Sequence, residues 1–465
     1  MLFNSYEFVF LFLPATLLGY HLLGKMRLTR AATIFLVAAS LFFYARWRIA
    51  YLPLLLGSII TNYTLVSLLI RGHKKKLWLW LGLAFNVGLL GYFKYADFFI
   101  GNLNAVSGSE FNLMRIVLPL GISFFTLQQI AYLVDVYEGL VKKQNFVDYA
   151  LFVSFFPQLI AGPIVHHKEM MPQFSKLRNH VFNYRNASRG LLVFAIGLFK
   201  KVIIADTFSV WASAGFDEAS SLTFFAAWTT SLCYTLQLYF DFSGYTDMAL
   251  GAALMFNIKL PHNFRSPYKA TNIIDYWNRW HLTLTRFITT YVYTPIVRAM
   301  GRMTFNKAML ATLVTMFISG LWHGAAWTFV IWGTMHGVAI VCAHTWKKSK
   351  RKMPTALAWF ITFNFVNVAL VVFRAREFAD AVKVLRGMAG LSGFEVTLPL
   401  AAIDGSYWTV ALIVAALVVV LTTRNSLEIR DRFVANLISL VAVVAMLAAA
   451  IYRMGLRSEF LYFQF

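Results

Sequence analysis

Apolar residues run along this chain in long blocks, broken by short polar stretches. The blocks fall near 6–23, 31–45, 52–70, 77–96, 115–137, 147–165, 188–206, 222–256, 286–300, 308–322, 325–345, 355–373, 407–423 and 433–452. Many are long enough for a helix rising 1.5 Å per residue to cross a hydrocarbon core of about 30 Å. The alternating pattern of a membrane β-barrel is absent, and lipid satisfies no open backbone groups, so helices are the expected spanning elements. The fold class is therefore all-α, a polytopic integral membrane protein with roughly eleven or more transmembrane helices plus re-entrant or partial ones. Segment 222–256 exceeds one ordinary span and carries Asp241 and Asp247, while 147–165 runs into Pro157, Gly162 and Pro163. The middle of the chain is thus expected to be broken, and such backbone survives at membrane depth only when shielded from lipid.

Composition excludes a soluble protein: of 465 residues 59% are hydrophobic and 13% charged, with mean hydropathy +0.64. A net charge of +22 would suggest nucleic acid in a soluble chain. Here the basic residues gather in short loops, Lys25–Arg30, Arg71–Lys76, Lys347–Lys352 and Arg424–Arg432, so membrane lipid is the expected neighbour and no nucleic acid is. With these loops cytoplasmic, both termini and the loops 97–112 and 374–406 fall on the outer side, as expected of a multi-pass protein of a cell inner membrane. The whole of 1–465 reads as one membrane-embedded domain, with an aromatic tail at 455–465 expected outside. The first block lacks a basic leader and a small-residue cleavage site, and reads as a membrane helix. Cys233 and Cys342 lie in apolar stretches and read as small buried hydrophobes. No pair of matching broken halves supports the commonest transporter plan.

Polar residues crowd the middle third. Asp241 and Asp247 either face a cavity or partner, or cap and pack helices around Gly244; the sequence leaves both readings open. On a continuous helix Asn278, His281 and Thr285 share one face, and Arg279 and Arg286 share another that suits an anionic group. The same stretch also fits an interfacial helix with Trp277 and Trp280 as an aromatic belt. His323 follows Trp322 and precedes Gly324 where two apolar blocks meet. A neutral imidazole there is either a general base for a hydroxyl nucleophile or a satisfied core histidine. His336, thirteen residues further, reads as packing or as a support to the groups around His323. The adjacent pair His166 and His167 diverges if helical, and no Glu-x-x-His or cysteine pair completes a set, so no metal is expected. Phosphate-cradling loops and Gly-x-Ser-x-Gly elbows are absent as well.

Seven short motifs in order give a resemblance that spans nearly the whole chain. They are Phe3-Asn4-Ser5-Tyr6-Glu7-Phe8, Gly91-Tyr92-Phe93-Lys94-Tyr95, Pro119-Leu120-Gly121-Ile122-Ser123-Phe124-Phe125-Thr126, Gln158-Leu159-Ile160-Ala161-Gly162-Pro163-Ile164, Asp241-Phe242-Ser243-Gly244-Tyr245, Arg279-Trp280-His281 and Leu321-Trp322-His323-Gly324. Together they resemble the bacterial branch of the membrane-bound O-acyltransferase family, whose members act on alginate and teichoic acids.

The resemblance implies that His323 is catalytic and His281 assists, at the waist of a central tunnel. Asn278, Trp280, Arg279, Asp241 and Trp322 would line that tunnel or bind donor and substrate. It implies no tightly bound cofactor, with acetyl-CoA or a carrier-bound acyl thioester as donor. An extracytoplasmic partner of the serine-hydrolase type would pass the acetyl group to a polysaccharide, most simply alginate. D-alanyl transfer, peptidoglycan or cellulose acylation, and a non-catalytic carrier or channel are the alternatives. Tyr462 and Phe465 in the tail are candidates for partner docking or acyl relay, against a plain interfacial anchor.

Overall fold

The computed structural model describes residues 1–395, 406–455 and 460–461. Every regular element among them is helical. Six helices are long and apolar enough to cross a membrane: Glu7–Lys25, Ile49–Arg71, Lys75–Ser107, Phe305–His323, Trp327–Lys348 and Thr355–Arg374. Three shorter apolar helices join them, Thr29–Ala45, Trp408–Thr422 and Leu437–Arg453.

These elements follow the apolar blocks closely, because lipid forces the backbone of each block to satisfy itself internally. Polar punctuation sets their ends. Gly72, at φ 88°, ends Ile49–Arg71 in a left-handed cap, and the Asn436 side chain accepts from the Ser439 N–H to start the last helix.

Two expectations are corrected. Segment 222–256 is not broken; it forms one helix of 32 residues, Phe224–Met255. Its length makes sense because nearly all of it is buried in protein, so hydrocarbon thickness does not limit it. The second concerns 275–286, where a continuous helix is the expectation. Ile273–Trp277 ends at Asn278, and a new helix, Leu282–Ile288, starts after His281, whose φ of 44° is left-handed. The break at 147–165 is present, with helix Phe146–Ser154 ending at Phe155 and a single turn, Phe156–Leu159, following.

Contacts divide the chain into two compact units, one containing Met1–Leu198 and Tyr245–His262 and the other Phe199–Gly244 and Asn263–Arg432. The first is pinned by amides as well as by rings. Asn62 and Asn86 exchange side-chain hydrogen bonds of 3.3 and 2.6 Å, joining two membrane helices by a contact that lipid cannot replace. Separately, Phe8, Phe12, Phe43 and Phe156 interlock with one another, Phe12 meeting Phe156 edge-on at 5.1 Å. Phe460, at the start of the tail, is buried edge-on against Tyr245 at 4.7 Å. Tyr462 and Phe465 lie outside the described residues.

In the second unit Phe305–His323 and Trp327–Lys348 pack closely. A Cβ on Gly320 would run into the Phe329 carbonyl, and one on Gly333 into the Met316 carbonyl. These glycines let the two backbones approach, as small residues do in membrane helix pairs. That approach is what brings the residues around His323 together.

Candidate active site

His323 is the last residue of Phe305–His323, and the chain turns out of the helix at Gly324, where the backbone is extended. A side chain at 324 would collide with the ring of Phe329. The imidazole is 4% exposed. It is walled by Trp322 at 4.9 Å, Trp332 at 4.9 Å and Phe373 at 5.4 Å between ring centroids, each at a steep angle.

Several polar atoms in this neighbourhood are buried without a hydrogen bond to the described residues: Ser319 Oγ, one turn before His323, Thr328 Oγ1, and Trp332 Nε1. Folded proteins rarely strand such groups, and clusters of them mark places where a substrate or water completes the bonding. His336 lies one turn after Trp332, with its ring 4.8 Å away, and accepts a hydrogen bond from Trp277 Nε1 at 3.3 Å. It is a packed and bonded histidine, as the sequence suggests.

His281 is fully buried. Its Nδ1 lies 3.2 Å from Asn263 Oδ1, which also accepts from the Thr283 hydroxyl at 2.6 Å and the Thr283 N–H at 3.2 Å. An acceptor at Nδ1 assigns the proton to that nitrogen and leaves the lone pair on Nε2. Phe242 packs edge-on to the ring at 4.8 Å. The two histidines belong to one aromatic cluster, connected through Phe242, Trp280, Tyr276, His336 and Trp332.

Breaking the helix at 278–281 separates residues that a continuous helix would have aligned. Asn278 is exposed, whereas His281 is buried, so the shared polar face with Thr285 does not form. Arg279 and Arg286 likewise do not lie on one helix. Arg279 Nε donates to Asp275 at 2.9 Å, and its Nη1 lies 3.4 Å from the Arg265 carbonyl. Trp280 is buried among Tyr239, Phe264 and Tyr276.

Asp241 is engaged by a cation that the sequence reading passed over. Lys201 Nζ lies 2.7 Å from Asp241 and 2.8 Å from Asp206. Both lysine and aspartate were visible as charges inside apolar blocks, 40 positions apart; only their pairing was hidden. Asn263 was likewise in view, without its link to His281.

A large cleft in the same unit, about 1190 Å³, runs between the 271–278 segment and the helices Trp327–Lys348 and Thr355–Arg374. Its walls are mostly apolar, with Asn278 and Thr334 among its polar groups and Lys347, Lys350 and Arg351 at its basic end. Cys342 also lines it and is exposed, so only Cys233 is the buried thiol expected of both.

The pair His166 and His167 behaves differently from the helical expectation. His166 is the extended cap of helix His167–Phe174, so the rings do not diverge; their centroids are 4.6 Å apart. Both rings approach Asp135.

Comparison with known proteins agrees with this architecture. The membrane-bound O-acyltransferase family matches residues 137–376. A peptidoglycan O-acetyltransferase of Helicobacter pylori is 51% identical over 84% of this chain and 80% of its own length. A protein of Pseudomonas putida named a probable alginate O-acetylase is 37% identical over 93% of this chain and 88% of its own. A teichoic acid D-alanyltransferase of Bacillus subtilis is 29% identical over 56% and 69%. With a family match over half its length and relatives this similar across most of it, the chain belongs to the membrane-bound O-acyltransferases and is a multi-pass membrane enzyme that transfers acyl groups to oxygen.

Proposed function

We propose that this enzyme takes an acetyl group from a cytoplasmic thioester, acetyl-CoA, and delivers it for O-acetylation of peptidoglycan on the far side of the plasma membrane. Identity of 51% to a peptidoglycan O-acetyltransferase, against 37% to a probable alginate O-acetylase, favours peptidoglycan over the alginate-type acceptor. The observation that carries the mechanism is the ring of His323, more than nine-tenths buried at a helix end, one turn after Ser319 and 4.9 Å from the Trp332 ring, with Ser319 Oγ and Trp332 Nε1 making no hydrogen bond to described residues.

His323 acts as general base on the incoming hydroxyl, which attacks the thioester carbonyl and expels the CoA thiolate. Trp332 Nε1–H donates to the carbonyl oxygen as charge builds on it, in a dry site where one such donor contributes roughly 3 kcal/mol. His281, oriented by Asn263, and Trp280 shape the polar interior near the attack path, and Asp241 holds that wall through Lys201. The cleft with Lys347, Lys350 and Arg351 at one end suits a donor bearing phosphates and a long thiol arm. Asn278 and Arg279 border its approach, and Trp322 covers the imidazole. Both termini face the outside, as the basic loops require.

The attacking hydroxyl belongs to an extracytoplasmic partner of the serine-hydrolase type, docked or relayed through the tail bearing Tyr462 and Phe465; a peptidoglycan hydroxyl then attacks the partner's acetyl ester, taking the acetyl group and releasing the partner's hydroxyl. The test is O-acetate released by mild base from cell walls of a strain whose own gene is deleted and replaced. Wild-type protein restores it, and His323→Ala at equal membrane abundance does not. Restoration by that variant would refute the reading.

A further inference from the structure

Asp135, on helix Ile122–Tyr137, is 3% exposed and belongs to the first unit, whereas His281 and His323 belong to the second. His166 Nε2 lies 2.8 Å and His167 Nδ1 2.9 Å from the same carboxylate oxygen, Oδ2. The three donor atoms all fall within 4.8 Å of one another, a spread that bonds of about 2.1 Å to a common point bridge after small ring rotations.

The His167 contact is close without being a hydrogen bond: Nδ1 has no hydrogen-bond partner among the described residues, although Oδ2 is 2.9 Å away. The side chain is 9% exposed. An imidazole nitrogen set 2.9 Å from a carboxylate oxygen without hydrogen-bond geometry is an arrangement that a cation shared by the two groups would account for. Backbone geometry supports this arrangement. The extended His166 cap and the first helical residue His167 turn adjacent rings to the same side, 34° apart in plane. Tyr132, one turn before Asp135, packs edge-on to His167 at 5.4 Å and holds that ring.

We propose that Asp135, His166 and His167 bind a first-row divalent cation, zinc being the expected occupant, which ties helix Ile122–Tyr137 to helix His167–Phe174. Two imidazoles and one carboxylate without thiolates suit zinc and its neighbours rather than calcium or magnesium. His166 is partly exposed, leaving an open side for water as a further ligand. The Lys168 N–H now lies 3.4 Å from His166 Nδ1. Metal at Nε2 shifts the ring proton to Nδ1, so this long contact is given up on binding.

The test uses the full chain purified in detergent through a tag without histidines, incubated with zinc and freed of excess on chelating resin. About one zinc per chain is expected by elemental analysis, with retention falling about tenfold or more in Asp135→Asn and His167→Ala. Wild-type protein that retains no zinc, or variants that retain as much as wild type, overturns the proposal. Should the variants fail to fold, cobalt-loaded wild type decides: visible d–d bands of a nitrogen and oxygen site are expected, and their absence counts against it.

Discussion

Asp241 and Lys201 form an ion pair of 2.7 Å in which each side chain is only 2% exposed. Lys201 also holds Asp206 at 2.8 Å, so one ammonium serves two carboxylates. Charges this deep are retained because they neutralise one another.

Removing one partner should therefore cost more than removing both. Lys201→Met is expected to destabilise by about 3 to 5 kcal/mol, since it leaves Asp241 buried and uncompensated. Adding Asp241→Asn to it should recover part of that loss. Thermal unfolding in detergent, followed by tryptophan fluorescence, gives the comparison; equal losses in the single and double variants would argue against the pairing.

Asn263 acts on His281 through an acceptor oxygen, and this yields a graded series. Asn263→Asp keeps an acceptor for Nδ1–H, whereas Asn263→Leu removes it at a cost of about 1 to 3 kcal/mol. Transfer rates should rank wild type, then Asp, then Leu, with the Leu variant most impaired. A Leu variant as active as wild type would show that ring orientation is unimportant.

Gly320 and Gly333 set how closely two membrane helices pack. Gly320→Val forces them apart and should lower stability by about 1 to 3 kcal/mol or more, with loss of activity because His323 sits three residues further on. Gly57, whose added Cβ would meet nothing within 4 Å, is the control, and Gly57→Ala should leave both unchanged. Thermal midpoints and acetyl transfer on the same preparations separate the cases.

Trp332→Phe keeps the ring that packs on His323 and deletes its N–H. If that donor takes the carbonyl oxygen, kcat falls by about 10²-fold or more with little change in KM. A change confined to KM would assign the indole to packing.

Much of this was legible along the chain because lipid leaves so few options: apolar blocks such as 52–70 and 355–373 became helices nearly end for end. His323 was legible too, as an imidazole between two blocks beside glycine. What the sequence concealed depends on contacts distant along the chain or on a single dihedral. The turn at His281, φ 44°, undid a helix that local periodicity favoured, and with it the alignment of Asn278, His281 and Thr285. Lys201 with Asp241, Asn263 with His281, and Asp135 with His166 and His167 are pairings 18 to 40 residues apart, which no spacing rule reveals. Length misled at 222–256, because the limit set by hydrocarbon thickness does not hold for a helix surrounded by protein.

Release of CoA thiol by the purified enzyme, with acetyl-CoA and a hydroxyl acceptor, tests the role of His323 most directly. Replacing it by alanine in a protein that still elutes as a folded monodisperse species is expected to slow thiol release by about 10² to 10⁴-fold, while His336→Gln slows it far less. Thiol release at the wild-type rate from the His323→Ala protein would contradict the account.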